Sequence, residues 1–159
     1  MLSVRIFCVG KLKEKYLRDA VEEYRKRLSP LCKFEIAELS EEYTPENPSA
    51  ALTKQTVEKE SEKILSKIAA SDYVIAMCVE GKLLSSEELS EKLENITLSH
   101  STVDFVIGGS WGLSEKLKQR ADLKLSMGRM TFPHQLFRVM LCEQIYRAFQ
   151  ISKGTKYHK

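Results

Sequence analysis

Phe105-Val106-Ile107-Gly108-Gly109-Ser110-Trp111-Gly112-Leu113 is the stretch on which the fold is read. Its first residues close an apolar run that begins at Thr102 and stops on two glycines. A short apolar run ending in glycine reads as a buried strand, and paired glycines permit a sharp turn or a close backbone approach. The pattern occurs twice more: Tyr73 to Val79 runs into Glu80-Gly81-Lys82, and Ser3 to Val9 ends at Gly10. Cys32 to Leu39 and Leu123 to Ser126 supply two further strands.

Between the strands the apolar period lengthens. Leu17, Ala20, Val21, Tyr24 and Leu28 are spaced as one helix face, and Pro30 ends that helix. Leu52 to Ala69 reads as a helix with one charged face, and Ser85-Ser86-Glu87-Glu88 is a capping box opening another. Ser114 to Gln119 is a short helix, and Pro133 fits the first turn of a long one reaching Phe149. Ser40 to Ala50, with Pro45, Asn47 and Pro48, is a surface loop. Strands alternating with helices predict an α/β fold with a mostly parallel sheet flanked by helices. No linker or repeat divides residues 1–159, so a single domain is expected. Ligands of such sheets bind beyond the carboxyl ends of the strands, here near Gly10, Gly81 and Gly108-Gly109.

Hydrophobic content of 43% and charged content of 30% suit a globular chain with a real core. The apolar runs are too short to span a membrane, and Met1 to Phe7 lacks the features of a signal peptide, so a cytoplasmic protein without membrane association is expected. The four cysteines and three histidines are scattered without metal-site spacing, so no metal is expected. Gly108-Gly109-Ser110-Trp111-Gly112 is not the dinucleotide fingerprint, and Gly81-Lys82 lacks the rest of a phosphate loop. Net charge is only +3, but residues 1–33 and 111–159 are basic and residues 34–110 acidic. That asymmetry suggests one side facing a polyanion.

The glycine turn is followed by Leu125-Ser126-Met127-Gly128-Arg129-Met130-Thr131-Phe132-Pro133-His134-Gln135, then the long helix, then Lys153-Gly154-Thr155-Lys156-Tyr157-His158-Lys159. In this order these parts resemble the pseudouridine methyltransferases of the large ribosomal subunit, a family of the SPOUT class. The likeness reaches back to Val9-Gly10-Lys11-Leu12-Lys13. It implies a C-terminal trefoil knot that binds S-adenosylmethionine (SAM), with no metal. It implies methylation of N3 of a pseudouridine in 23S rRNA, within the assembled large subunit or ribosome and not on DNA. A homodimer is implied too, built on the long helix, whose wide apolar face takes in Leu136, Phe137, Met140, Leu141, Ile145 and Phe149.

Residue by residue, the likeness places Met77, Gly108, Met127, Gly128, Arg129, Met130, Thr131 and Phe132 around the cofactor. It places Tyr157, His158 and Lys159 at the target nucleotide of a site shared between subunits, with His134 near the methyl acceptor. Two positions depart from the family pattern: Cys78 stands where an acidic residue is usual, and Trp111 where a smaller or polar one is. Two other readings stay open on the residues alone. One is a SPOUT enzyme acting on another RNA such as tRNA; the other is a non-catalytic ribosome- or RNA-binding protein.

Overall fold

A computed structural model describes residues 1–159. The elements in chain order are β1 (Ser3–Val9), α1 (Lys15–Leu28), β2 (Lys33–Leu39), α2 (Ala50–Leu65), β3 (Tyr73–Leu83), α3 (Ser86–Thr97), β4 (Thr102–Val106), α4 (Glu115–Arg120), β5 (Leu123–Ser126) and α5 (His134–Ser152). The five strands form one sheet in the order β2-β1-β4-β3-β5, and every pairing is parallel. Parallel neighbours need crossover connections, and these are right-handed. The connections to β2 and to β4 step one way along the sheet, and those to β3 and β5 step the other way. One handedness therefore sends α1 and α3 over one face and α2 and α4 over the other.

Side-chain alternation along each strand feeds both faces. Val4, Ile6, Ile75, Met77, Val103 and Phe105 join the core under α1, α3 and α5. Phe7, Val9, Val74, Ala76 and Val106 join the core under α2 and α4, with Ile64 and Leu117. Strands covered on both faces lose the polar-apolar alternation, which is why they read as continuous apolar runs.

Several boundaries depart from the sequence reading, most visibly in α2 and β3. Helix α2 begins at Ala50, because the Ser49 hydroxyl accepts the Leu52 amide at 3.1 Å, and it ends at Leu65 rather than Ala69. The Ala69 amide is taken instead by Asp72 Oδ2 at 2.8 Å. Strand β3 continues to Leu83 by shifting register against β5 between Met77 and Lys82. Gly81 makes that shift possible, since a Cβ there would lie 2.7 Å from the Leu125 backbone. The capping box is present as read: Ser85 and Glu88 each accept the other's amide, at 3.0 and 2.9 Å.

Helix α5 lies between α1 and α3 and turns Leu141, Cys142, Ile145, Ala148 and, unexpectedly, Arg138 inward. Leu136 stays 41% exposed, and Met140 is only half-buried. The apolar face of this helix is thus wider than the core it packs on.

Candidate active site

Chain segments leaving the carboxyl ends of β3, β4 and β5 meet around one cleft of about 460 Å³. Met77 to Glu80 of β3 line one side. Ile107 to Ser110, Gly112 and Leu113 line a second, and Leu125 to Gly128 with Met130 to His134 a third. Phe137, one turn into α5, and Lys118 of α4 complete the lining. This is where a parallel sheet places its ligands.

The glycine turn closes on itself. The Gly112 amide donates to the Gly109 carbonyl at 3.1 Å, and a Cβ on Gly108 would stand 2.6 Å from the Gly112 carbonyl carbon and oxygen. A side chain at 108 is therefore excluded first by the turn's own backbone. The segment after β5 is pinned by Ser126, which is 4% exposed: its hydroxyl accepts the Gly128 amide at 3.1 Å and donates to the Gly128 carbonyl at 3.0 Å.

The cleft lining holds one ion pair, and His134 besides. Lys118 Nζ lies 2.6 Å from Glu80 Oε1, and that bond holds the Glu80 carboxyl below its usual range and the Lys118 ammonium above its own. Burial, reinforced by the Glu80 charge, pushes the Cys78 thiol up, so it lines the cleft as a neutral group. Glu80, two residues beyond Cys78 on the same strand, is the acidic side chain of this wall.

Seven of the eight residues expected at the cofactor line this cleft: Met77, Gly108, Met127, Gly128, Met130, Thr131 and Phe132. His134 lines it as well, half-buried. Arg129 does not; it is exposed and stands outside the lining. Trp111 lies outside too, half-exposed, its indole donating to Thr44 Oγ1 at 3.4 Å. Sequence reasoning missed Ser126, Glu80 and Lys118. A serine two residues before a glycine was a legible turn signal for Ser126. The Glu80–Lys118 pair spans a strand and a separate helix and left no spacing to read.

The C-terminal triplet is docked elsewhere on its own chain. The Tyr157 hydroxyl donates to Glu143 Oε1 at 2.8 Å, and its ring meets Tyr146 edge-on at 4.9 Å with the Arg147 guanidinium 4.8 Å from its centroid. His158 Nε2 pairs with Glu87 Oε1 at 2.6 Å, which lowers the Glu87 carboxyl. His158 lines a second hollow that shares Leu125, Ser126 and Met127 with the cleft. None of Tyr157, His158 and Lys159 lines the cleft of its own chain.

A family model described as "Predicted SPOUT methyltransferase" matches residues 2–158. The chain belongs to the SPOUT methyltransferase family. Among similar proteins, a Streptococcus uberis relative called "Ribosomal RNA large subunit methyltransferase H" is 53% identical over 99% of this chain and 100% of its own length. Clostridium acetobutylicum and Leuconostoc mesenteroides relatives of the same name are 54% and 52% identical over the same shares. The solved structure described as a "probable methylase family protein from Haemophilus influenzae" shares the fold at a TM-score of 0.57, with 12% identity, covering 98% of this chain and 70% of that one. The α/β fold of this SPOUT methyltransferase, read first from alternating strands and helices, therefore agrees with its relatives.

Proposed function

We propose that this SPOUT methyltransferase transfers a methyl group from SAM to N3 of a pseudouridine in 23S rRNA, on the assembled large subunit or ribosome. The observation that carries the reading is the convergence of Met77, Gly108, Met127, Gly128 and Met130–Phe132 on one cleft, in a chain whose relatives are named for methylating large-subunit rRNA. The lining suits SAM. Its walls are apolar side chains and exposed loop backbone, which give a neutral adenine edge amide donors and carbonyl acceptors. Its volume falls in the range of small-molecule sites. The main-chain path through Gly108–Leu113 and Met127–Pro133 is the segment in which the family's knot would lie.

SAM, when bound, supplies an electrophilic methyl on a sulfonium. The chain's task is alignment: Met77, Leu125 and Phe137 would hold the cofactor by apolar contact, and the two loops would fix its orientation. His134 lines the cleft wall where α5 begins, and we assign it to the neighbourhood of the imide nitrogen. The acceptor must lose its N3 proton, which would pass to water, and the exposed backbone amides of the two loops would lower the cost of the imide charge left behind.

The active unit is a homodimer. Leu136, Val139 and Met140 of α5 stay partly uncovered, and Met130 beside the cleft is 78% exposed. A partner packed over these residues would bring its own Tyr157-His158-Lys159 toward this cleft, which that triplet does not reach within its own chain. No helix is long and apolar enough to cross a membrane, and the cytoplasm, where ribosomes reside, is the proposed location.

The test is methylation of ribosomes from a strain lacking this gene, with the product nucleotide mapped by mass spectrometry. Methyl on N3 of a 23S pseudouridine is expected. Methyl on tRNA would move the substrate, and no SAM binding by calorimetry would remove the enzyme reading.

A further inference from the structure

Outside the cleft, Gly10-Lys11-Leu12-Lys13 is held more tightly than a surface loop needs. Arg138, 1% exposed, donates to the Gly10 carbonyl at 3.2 Å and to Glu38 Oε2 at 2.7 Å. The same Glu38 oxygen accepts the Leu12 amide at 3.1 Å. Gln135 Oε1 accepts the Lys13 amide at 3.1 Å, and Arg18 donates to the Lys13 carbonyl at 2.7 Å. Burying a guanidinium is unfavourable unless it is paired, and a hydrophobic side chain would pack this point of α5 without that penalty. Arg138 here fixes a loop rather than filling the core.

The loop so fixed carries Lys11 and Lys13, both exposed and neither in an ion pair. Lys15, just beyond, is paired with Asp19 at 2.7 Å. The acids close by do not neutralise the two lysines: Glu38 is taken by Arg138, and Glu14 and Glu41 pair with neither. The position is next to the cleft. Gln135, which holds Lys13, follows His134 in the cleft wall, and Val9 lies 3.4 Å from where a Gly109 side chain would begin.

We infer that the Gly10–Lys13 loop is a preformed clamp for RNA phosphates, holding the strand that leads the target nucleotide to the cleft. The inference rests on the rRNA reading above. Two unpaired ammonium groups on an ordered backbone bind a phosphodiester chain with less ordering cost than lysines on a free loop. Phosphate contacts of this kind set position and register and do not read bases.

The test compares wild type with K11A/K13A, K11R/K13R and K26A/K33A, the last removing two exposed lysines from the opposite ends of the strands. Retention of purified large ribosomal subunits on filters is measured across a salt series, beside SAM calorimetry and thermal melting. K11A/K13A should weaken subunit binding about tenfold at low salt and flatten the salt slope by about 1.5, for two contacts of roughly 0.7–0.9 each. SAM affinity and melting should stay unchanged, K11R/K13R should bind like wild type, and K26A/K33A should stay within about twofold of it. Equal binding by wild type and K11A/K13A, or an equal loss in K26A/K33A, overturns the clamp. Wild type that binds subunits through these lysines yet transfers no methyl would leave the clamp standing and remove the proposed reaction.

Discussion

The Tyr157 hydroxyl donates back to Glu143 in the middle of α5, and the same carboxylate is bridged by Arg147 at 2.8 Å. The C-terminal triplet is therefore part of the folded structure, and removing it has a stability cost that a frayed end would not have. Tyr157→Phe should lower stability by about 1 kcal/mol, the typical net worth of one hydrogen bond, since Glu143 keeps Arg147. Chemical denaturation of the two proteins measures it.

The same contact sets a pH dependence. Burial, then the bond to Glu143, pushes the Tyr157 phenol up to about 12. The neutral phenol is the donor, so the contact is complete below the ordinary tyrosine value of about 10 and is lost as pH rises through about 12. The phenolate absorbance of wild type minus that of Tyr157→Phe should show one tyrosine titrating late. A difference curve centred at the ordinary value would mean that the tail is undocked.

A second expectation concerns Gly108. Because a Cβ there meets the Gly112 backbone at 2.6 Å, Gly108→Val acts on the turn before it acts on any ligand. Forcing that contact apart should cost about 1–3 kcal/mol, the range for overpacked sites, and should abolish SAM binding by moving Ile107 to Leu113. Calorimetry beside thermal melting checks both. Undiminished SAM affinity in a folded variant would move the cofactor out of this cleft.

The opposite end of the sheet carries a buried charge cluster. Arg5 donates to both oxygens of Asp104, at 2.7 and 2.8 Å, and to Asp72 at 2.7 Å. Arg5→Met strands the fully buried Asp104 without its partner and should destabilise the protein by about 3–5 kcal/mol. Burial already lifts the Asp104 carboxyl to about 6 against the pull of Arg5. A raised folded value favours the native state below the unfolded value of about 3.9 and loses that contribution as pH rises past the folded one. Loss of Arg5 raises the group further, so urea unfolding should show the deficit of Arg5→Met growing between about pH 5 and pH 8. A deficit independent of pH would assign the loss to packing.

The strands were legible because burial on both faces leaves unbroken apolar runs, as in Tyr73–Val79. The last turn of β3 was not, because its continuation depends on Gly81 lying against Leu125, a contact between residues 44 apart in sequence. Met77, Gly108 and Met127–Phe132 carry no periodicity that joins them; the family likeness put them at one site, and seven of those eight line one cleft. Arg138 carried no signal in the sequence, and only its carbonyl and carboxylate partners at Gly10 and Glu38 explain its burial. The docking of Tyr157 onto Glu143 and Tyr146 had no local signal at all, since a chain end is read as loose unless something far away holds it.

The docked tail bears on the proposed dimer. Within its own chain His158 of the triplet lines a hollow that shares Leu125 to Met127 with the cleft. If the tail serves the partner's cleft, two separately inactive proteins should complement each other. Gly108→Val lacks the cofactor site but keeps its tail; a chain ending at Lys156 keeps the cofactor site and lacks the triplet. A mixed dimer holds one cleft with both an intact turn and a complete tail from the other subunit. Co-expressed and purified as the mixed species, it should regain up to about half of the wild-type methyl transfer, since one of two sites is whole. The truncated homodimer should bind SAM and transfer no methyl. No recovery in the mixture, with both proteins folded and dimeric, would place the tail at the cleft of its own chain. Full activity in the truncated homodimer would remove the triplet from the reaction and leave it only its packing role at Glu143 and Glu87.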